Sequence, residues 1–234
     1  MDEHDLIVGD LQAKILASEK TFMRKVYAWM GSGLAITALT SYFIYSTGLY
    51  QYLLNTWAIL FVIILQFSAV IFLSARANKM SPITASFTFI AYAFLTGLTF
   101  SIIFLAYSSA AIFNAFITAS ATFAALSLFG FVTKKDLTGW GSFFFIGLIG
   151  VIIAMVVNIF LANSALDFVI SIVGVLVFAG LTAYDTQKLK EMHLVQLQGK
   201  EATTSASIVG ALVLYLDFIN LFLMLLRLFG GGRG

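Results

Sequence analysis

The stretch GALVLYLDFINLFLMLL, residues 210–226, is an unbroken apolar run with a single carboxylate, Asp217, near its middle. A strand of a membrane barrel alternates apolar and polar residues, whereas a helix crossing lipid does not. The run sits inside a longer apolar segment, 207–229. A bilayer core of about 30 Å is crossed by about 20 helical residues, so this segment predicts a membrane-spanning helix. Asp217 then lies about 15 Å deep at about 1.5 Å per residue. An isolated charge at that depth costs at least about 2.5–3.5 kcal/mol, which places the carboxylate inside a bundle and away from lipid. Asn220 follows one turn later and Gly210 precedes it by two turns, forming a narrow polar and small stripe on one face.

Composition agrees with this reading. Of the 234 residues, 61% are hydrophobic and 10% charged, with 24 Phe and one Pro. An average soluble domain is about 25% charged, so this chain lacks the polar surface to coat a water-exposed globule and reads as an all-α integral membrane protein. A formal charge of +2, with no basic cluster interleaved with aromatics, excludes nucleic acid as a partner. The absence of Cys excludes disulfides, thiolate metal sites and a Cys nucleophile. Residues 1–25 are polar and mixed in charge, with no short apolar core ending in a cleavage site, so a cytoplasmic arm is expected in place of a signal peptide. His4 and His193 lie in polar segments without metal-ligand spacing.

Seven stretches are long enough to cross: 26–46, 57–75, 83–107, 110–132, 141–162, 166–187 and 207–229. The expected organisation is an arm at 1–25, a seven-helix transmembrane domain at 26–229 and a glycine-rich tail at 230–234. Eleven of the thirteen basic residues (Lys14, Lys20, Arg24, Lys25, Arg76, Lys79, Lys134, Lys135, Lys188, Lys190 and Lys200) fall on one side, which the positive-inside rule makes the cytoplasm. Arg227 and Arg233 follow the last span: a full crossing leaves them outside, and a re-entrant segment returns them to the cytoplasm. Trp29, Trp57 and Trp140 near span ends fit an aromatic belt.

Nine of the eleven acidic residues lie in the arm or loops; Asp185 and Asp217 are the exceptions. Asp185 ends the sixth span in FAGLTAYDTQKLK, and the seventh span starts from the same side. The two helices are antiparallel neighbours, so the carboxyls can meet at similar depth, with Thr182 and Thr186 nearby. Two close carboxyls in a low dielectric do not both ionise easily and titrate as a unit. Ionised, they offer hard oxygens to a cation such as Ca²⁺, so Asp185 and Asp217 are also the candidate metal ligands, for a transient ion. Plainer roles exist: Asp185 as a partner of Lys188 at the interface, Asp217 as a structural hydrogen-bond partner, and Arg76 as a positive-inside anchor. Arg76 is alternatively a latch that pairs with the aspartates, while Gln66, Asn114 and Asn158 fit interhelix bonding.

The motifs GLTAYDTQKLK (180–190) and GALVLYLDFINLFLMLLRLFG (210–230), with TKKDLTGWG (133–141) and FMRKVYAWMGSGLAITA (22–38), resemble the transmembrane Bax inhibitor motif (Bax inhibitor / Lifeguard) family, in particular its bacterial inner-membrane members. The resemblance implies seven helices with the seventh central and surrounded by the other six. It implies a Ca²⁺ leak governed by pH, with an aspartate pair as proton sensor; the matching positions are Asp185 and Asp217. A basic latch on the second helix occurs in some members, and Arg76 is the position that corresponds.

Three functions compete. The first is a pH-sensitive calcium leak channel: a monomer in the lipid bilayer that needs no cofactor and takes calcium ions and protons as its small partners. The second is a regulatory interaction protein that modulates membrane proteases or cell-death partners. The third, an intramembrane aspartyl protease, would use paired carboxyls as general acid and base. However, Asp217 is preceded by Tyr-Leu where those enzymes carry Gly-x-Gly, and the sole proline, Pro82, is elsewhere. A non-enzymatic role is therefore expected.

Overall fold

Inside a bilayer no water is available to bond the backbone, so long apolar runs close their own hydrogen bonds as helices. The computed structural model describes residues 3–76, 80–192 and 200–230. Every regular element among them is helical. In chain order these are α1 (Glu3–Ser46), α2 (Tyr50–Leu53), α3 (Thr56–Arg76), α4 (Pro82–Phe100), α5 (Ile103–Ala106), α6 (Ser109–Val132), α7 (Thr138–Leu161), α8 (Ser164–Glu191) and α9 (Lys200–Phe229). Lys79, His193, Arg233 and residues 231–234 of the tail lie outside the described residues.

Among the described residues six stretches are long and apolar enough to cross a membrane: Thr56–Arg76, Pro82–Ala106, Ser109–Val132, Thr138–Leu161, Ser164–Glu191 and Thr203–Phe229. The remaining expected span, 26–46, is the second half of α1 and is not among the six. Its length is diluted by Ser32, Thr37, Thr40 and Ser41, which lower its apolarity without breaking the helix. The helix also runs without interruption through Lys25, so the expected arm and span share one element. Phe22, Val26, Met30, Thr37 and Ser41 are all buried, a stripe at helical spacing that turns toward the other helices.

The helix starts are built from short polar side chains. Ser81 Oγ accepts the Thr84 backbone N–H with Pro82 in the first turn, and Asn163 Oδ1 accepts the Leu166 N–H at 2.9 Å to open α8. Ala162, in the left-handed region at φ 48°, ends α7 and leaves a two-residue connection to α8. Asp136 Oδ1 accepts the Thr138 N–H at 2.8 Å at the start of α7. Hydrogen bonds from the Thr138 side chain and backbone hold the Asp136 carboxyl below its ordinary range.

Burial separates the helices sharply. In Thr203–Phe229, 72% of the most apolar stretch is buried, against 6% in Thr138–Leu161 and 11% in Thr56–Arg76. α9 packs on α8, α1, α6 and α4; α7 packs on α8, and α3 on α4. Close approach relies on small residues: a side chain at Gly130 of α6 would strike the Ala183 carbonyl of α8, and one at Gly97 of α4 would strike Thr40 of α1. Phe145, Ile153, Val156, Ile159 and Phe160 of α7 are exposed, the surface a bilayer would cover.

Candidate functional site

α8 and α9 are antiparallel, as their end contacts show. Near one end Lys190 Nζ of α8 lies 3.7 Å from Glu19 of α1; at the other, Arg227 Nη1 of α9 lies 3.4 Å from Asp167 Oδ1 of α8. α9 therefore runs the length of α8 to the end opposite Lys190, and it does not fold back. Arg227 has a local acidic partner there, which offsets a charge stranded away from the other basic residues.

This pairing brings Asp185 and Asp217 together. Both side chains line one cavity, and each carboxyl acts on the other electrostatically. Asp217 is 5% exposed, and its Oδ2 is buried with no hydrogen-bond partner. Buried polar atoms are nearly always satisfied, so an orphaned carboxyl oxygen marks a place where a proton, water or cation belongs. Both aspartates line a cavity of about 870 Å³ between α3, α7, α8 and α9. Asn220 lines the same cavity and donates its Nδ2 to the Leu216 carbonyl at 2.8 Å. Lys188 lines it too, with Nζ 5.7 Å from the centre of the Tyr184 ring.

The other expected residues lie elsewhere. Thr182 is fully buried and donates back to the Phe178 carbonyl at 2.7 Å; Thr186 pairs with Ser127 of α6 at 3.2 Å. Both serve the α8 backbone and the α6–α8 contact, and neither lines the cavity. Arg76, the last residue of α3, is exposed, lies over the Phe72 ring at 5.3 Å and is not among the residues that line the cavity. Gln66 donates to the Leu95 carbonyl at 2.9 Å, an interhelix bond of the kind expected.

Two contributors were not singled out from the sequence. Gln187 accepts the Leu137 N–H at 2.8 Å and donates to the Lys135 carbonyl at 2.8 Å, clamping the 133–138 loop to α8. The signal was its place two residues after Asp185 in a motif that accompanies TKKDLTGWG. Tyr215 is fully buried, and its hydroxyl lies 2.6 Å from Thr37 Oγ1 of α1. A Tyr two residues before a buried acid carried no mark of which side it faced.

Among the described residues no third His, Cys, Asp or Glu joins the aspartates to form a metal-binding group. Ca²⁺ takes about six to eight oxygens, so two carboxyls and an amide suit an ion that keeps much of its water.

Comparison with known proteins agrees with this architecture. A family model described as "Inhibitor of apoptosis-promoting Bax1" matches residues 19–234. The inner membrane protein YbhL of Escherichia coli K12 is 44% identical over 220 residues, covering 93% of this chain and 94% of its own. An uncharacterized protein of Deinococcus radiodurans is 45% identical over 218 residues, covering 93% of each chain. One of Borreliella burgdorferi is 40% identical over 222 residues, covering 94% of this chain and 95% of its own. With six apolar helices and an inner-membrane relative, the chain is a multi-pass membrane protein.

Proposed function

The chain belongs to the Bax inhibitor family, and from that premise we propose that it is a pH-sensitive calcium leak channel. In this reading the second half of α1 is a first span, α9 is the seventh and stands at the centre of the others, and the basic loops put the N-terminus in the cytoplasm. The observation that carries the reading is that Asp185 and Asp217 line one cavity, with one buried Asp217 oxygen unsatisfied.

Two carboxyls that act on each other in a low dielectric share protons and titrate together. Ionised, they present a negative, oxygen-rich wall; protonated, they present a neutral one. Calcium is the substrate of this path and uses those oxygens in passing. A second cavity of about 310 Å³ lies on the other face of α9, lined by Phe218, Ile219 and Phe222 with Thr37 and Ser41. Since α9 stands between the two, a continuous path requires α9 to move relative to its neighbours. In our scheme the ionised pair holds the path closed and proton uptake releases it. Arg76 serves as latch only in a state where the end of α3 has moved over the pair.

Calcium flux from liposomes holding the purified protein tests this. Asp217→Asn is expected to change both the leak rate and its response to acidification. Slowing of the wild-type leak on acidification would reverse the proposed sign of the gate. A flux equal to that of protein-free liposomes at every pH would remove the channel reading altogether.

A further inference from the structure

The cavity that holds the aspartates has a feature that ion passage does not require: it is open sideways. α3 packs on α4 and α7 packs on α8, and among the described residues α3 and α7 are not one of the extensively packed pairs. The cavity lies between them, and the residues at its lips face outward. Phe67 of α3 is 67% exposed, and Ile146 and Ile152 of α7 are 69% and 48% exposed. At the depth of the apolar helices, what lies outside those lips is hydrocarbon.

The cleft is amphipathic along its length. Ser142 and Lys188 line one end, the aspartates and Asn220 the middle, and Met155 and Met224 the other end. From Ser142 to Met155 α7 rises about 20 Å at about 1.5 Å per residue, room for one extended chain. The volume, about 870 Å³, is that of a ligand site. At its centre is the unpartnered Asp217 Oδ2 on a side chain that is 5% exposed. Lys188, the one cation among the described lining residues, lies 5.7 Å from the centre of the Tyr184 ring and acts electrostatically on Asp185, while Asp217 Oδ2 stays without a partner.

We infer that the α3–α7 cleft binds a single-chain lipophilic amine, its ammonium on the Asp185 and Asp217 carboxyls and its tail between Phe67, Ile152, Met155 and Met224. An ammonium brings three donors and no acceptor, which answers an orphaned acceptor beside a second carboxyl. A phosphate or fatty-acid headgroup brings acceptors and like charge, and an alcohol brings one donor and no charge. The tail enters laterally from the bilayer without displacing a packed helix pair. This inference rests on the cleft alone and stands whether or not the pair gates calcium.

The test is equilibrium binding of radiolabelled dodecylamine to the full chain in lipid nanodiscs, with empty nanodiscs subtracted and no ion gradient present. The expected result is a saturable component of one amine per chain. Dodecanol and laurate should bind at least about ten-fold more weakly, as loss of a charged hydrogen bond requires. Asp217→Asn and Ile152→Trp, the latter filling the lip from an exposed position, should each weaken amine binding by a similar factor. Asp167→Asn, at the far end of α8, should leave it unchanged. Uptake by wild-type discs equal to empty discs overturns the inference, as does dodecanol binding as tightly as the amine. Should Asp217→Asn fail to fold, unchanged binding in Ile152→Trp is sufficient to overturn it.

Discussion

Tyr215 and Asp217 are two residues apart on α9, both buried, and they face different company. Tyr215 turns to α1 and α4: its hydroxyl meets Thr37 Oγ1 at 2.6 Å, Thr37 donates in turn to the Ala93 carbonyl, and the Phe89 and Tyr92 rings pack edge-on around it. Asp217 turns to α7 and α8, where it finds a second acid, open volume and an oxygen without a partner. A satisfied buried polar group rigidifies a core, while an unsatisfied one costs stability and persists where it has a task. On the proposed reading the α1/α4 side of α9 is scaffold, and the α7/α8 side is the working face.

The comparison can be broken by substitution. The largest stability effect is expected on the scaffold side from Gly97→Val, whose added side chain meets Thr40 and the Thr37 carbonyl; about 2–3 kcal/mol should be lost in thermal unfolding of the detergent-solubilised protein. Gln187→Ala comes next, because it frees both Leu137 N–H and the Lys135 carbonyl. A loss of about 1–2 kcal/mol is expected, with faster proteolytic nicking of the 133–138 loop as the direct readout. Tyr215→Phe should cost about 1 kcal/mol and leave the pH response of calcium flux intact, since Thr37 keeps its bond to Ala93. If that variant shifts the pH response, the division into scaffold and working face fails. Arg227→Gln is the smallest: its ion pair with Asp167 is partly exposed, and less than about 1 kcal/mol should be lost, diminishing further at high salt.

What could be read from the residues alone followed from short-range constraints. Apolar runs of bilayer length dictate helices, and a short connection between two of them dictates an antiparallel pair, so the placing of Asp185 and Asp217 on adjacent helices that line one cavity was legible. The second half of α1 reads as a span by length, yet Ser32, Thr37, Thr40 and Ser41 dilute its apolarity while Thr37 uses its hydroxyl in the core. Contacts between distant segments were not legible: Tyr215 with Thr37 and Gln187 with Lys135 depend on how the helices pack, which periodicity does not encode. Nor was the rank of burial. α7 and α9 are both long apolar helices, yet 6% of one and 72% of the other is buried in their most apolar stretches. In lipid it is the polar and small residues, such as Ser205, Ser207, Gly210, Tyr215 and Asp217 on α9, that mark the inward helix. Arg76 shows the same limit from the other side: a basic residue at a helix end is compatible with anchor or latch, and only the structure places it over Phe72.

The most direct test of the working face is calcium efflux from liposomes stepped from mildly alkaline to mildly acidic pH, comparing wild type with the Asp185→Asn/Asp217→Asn double variant. The wild-type leak should accelerate on acidification, and the double variant, with no proton left to take up at the pair, should leak at one rate on both sides of the step. A double variant that retains the wild-type pH profile would show that these two carboxyls do not control the path.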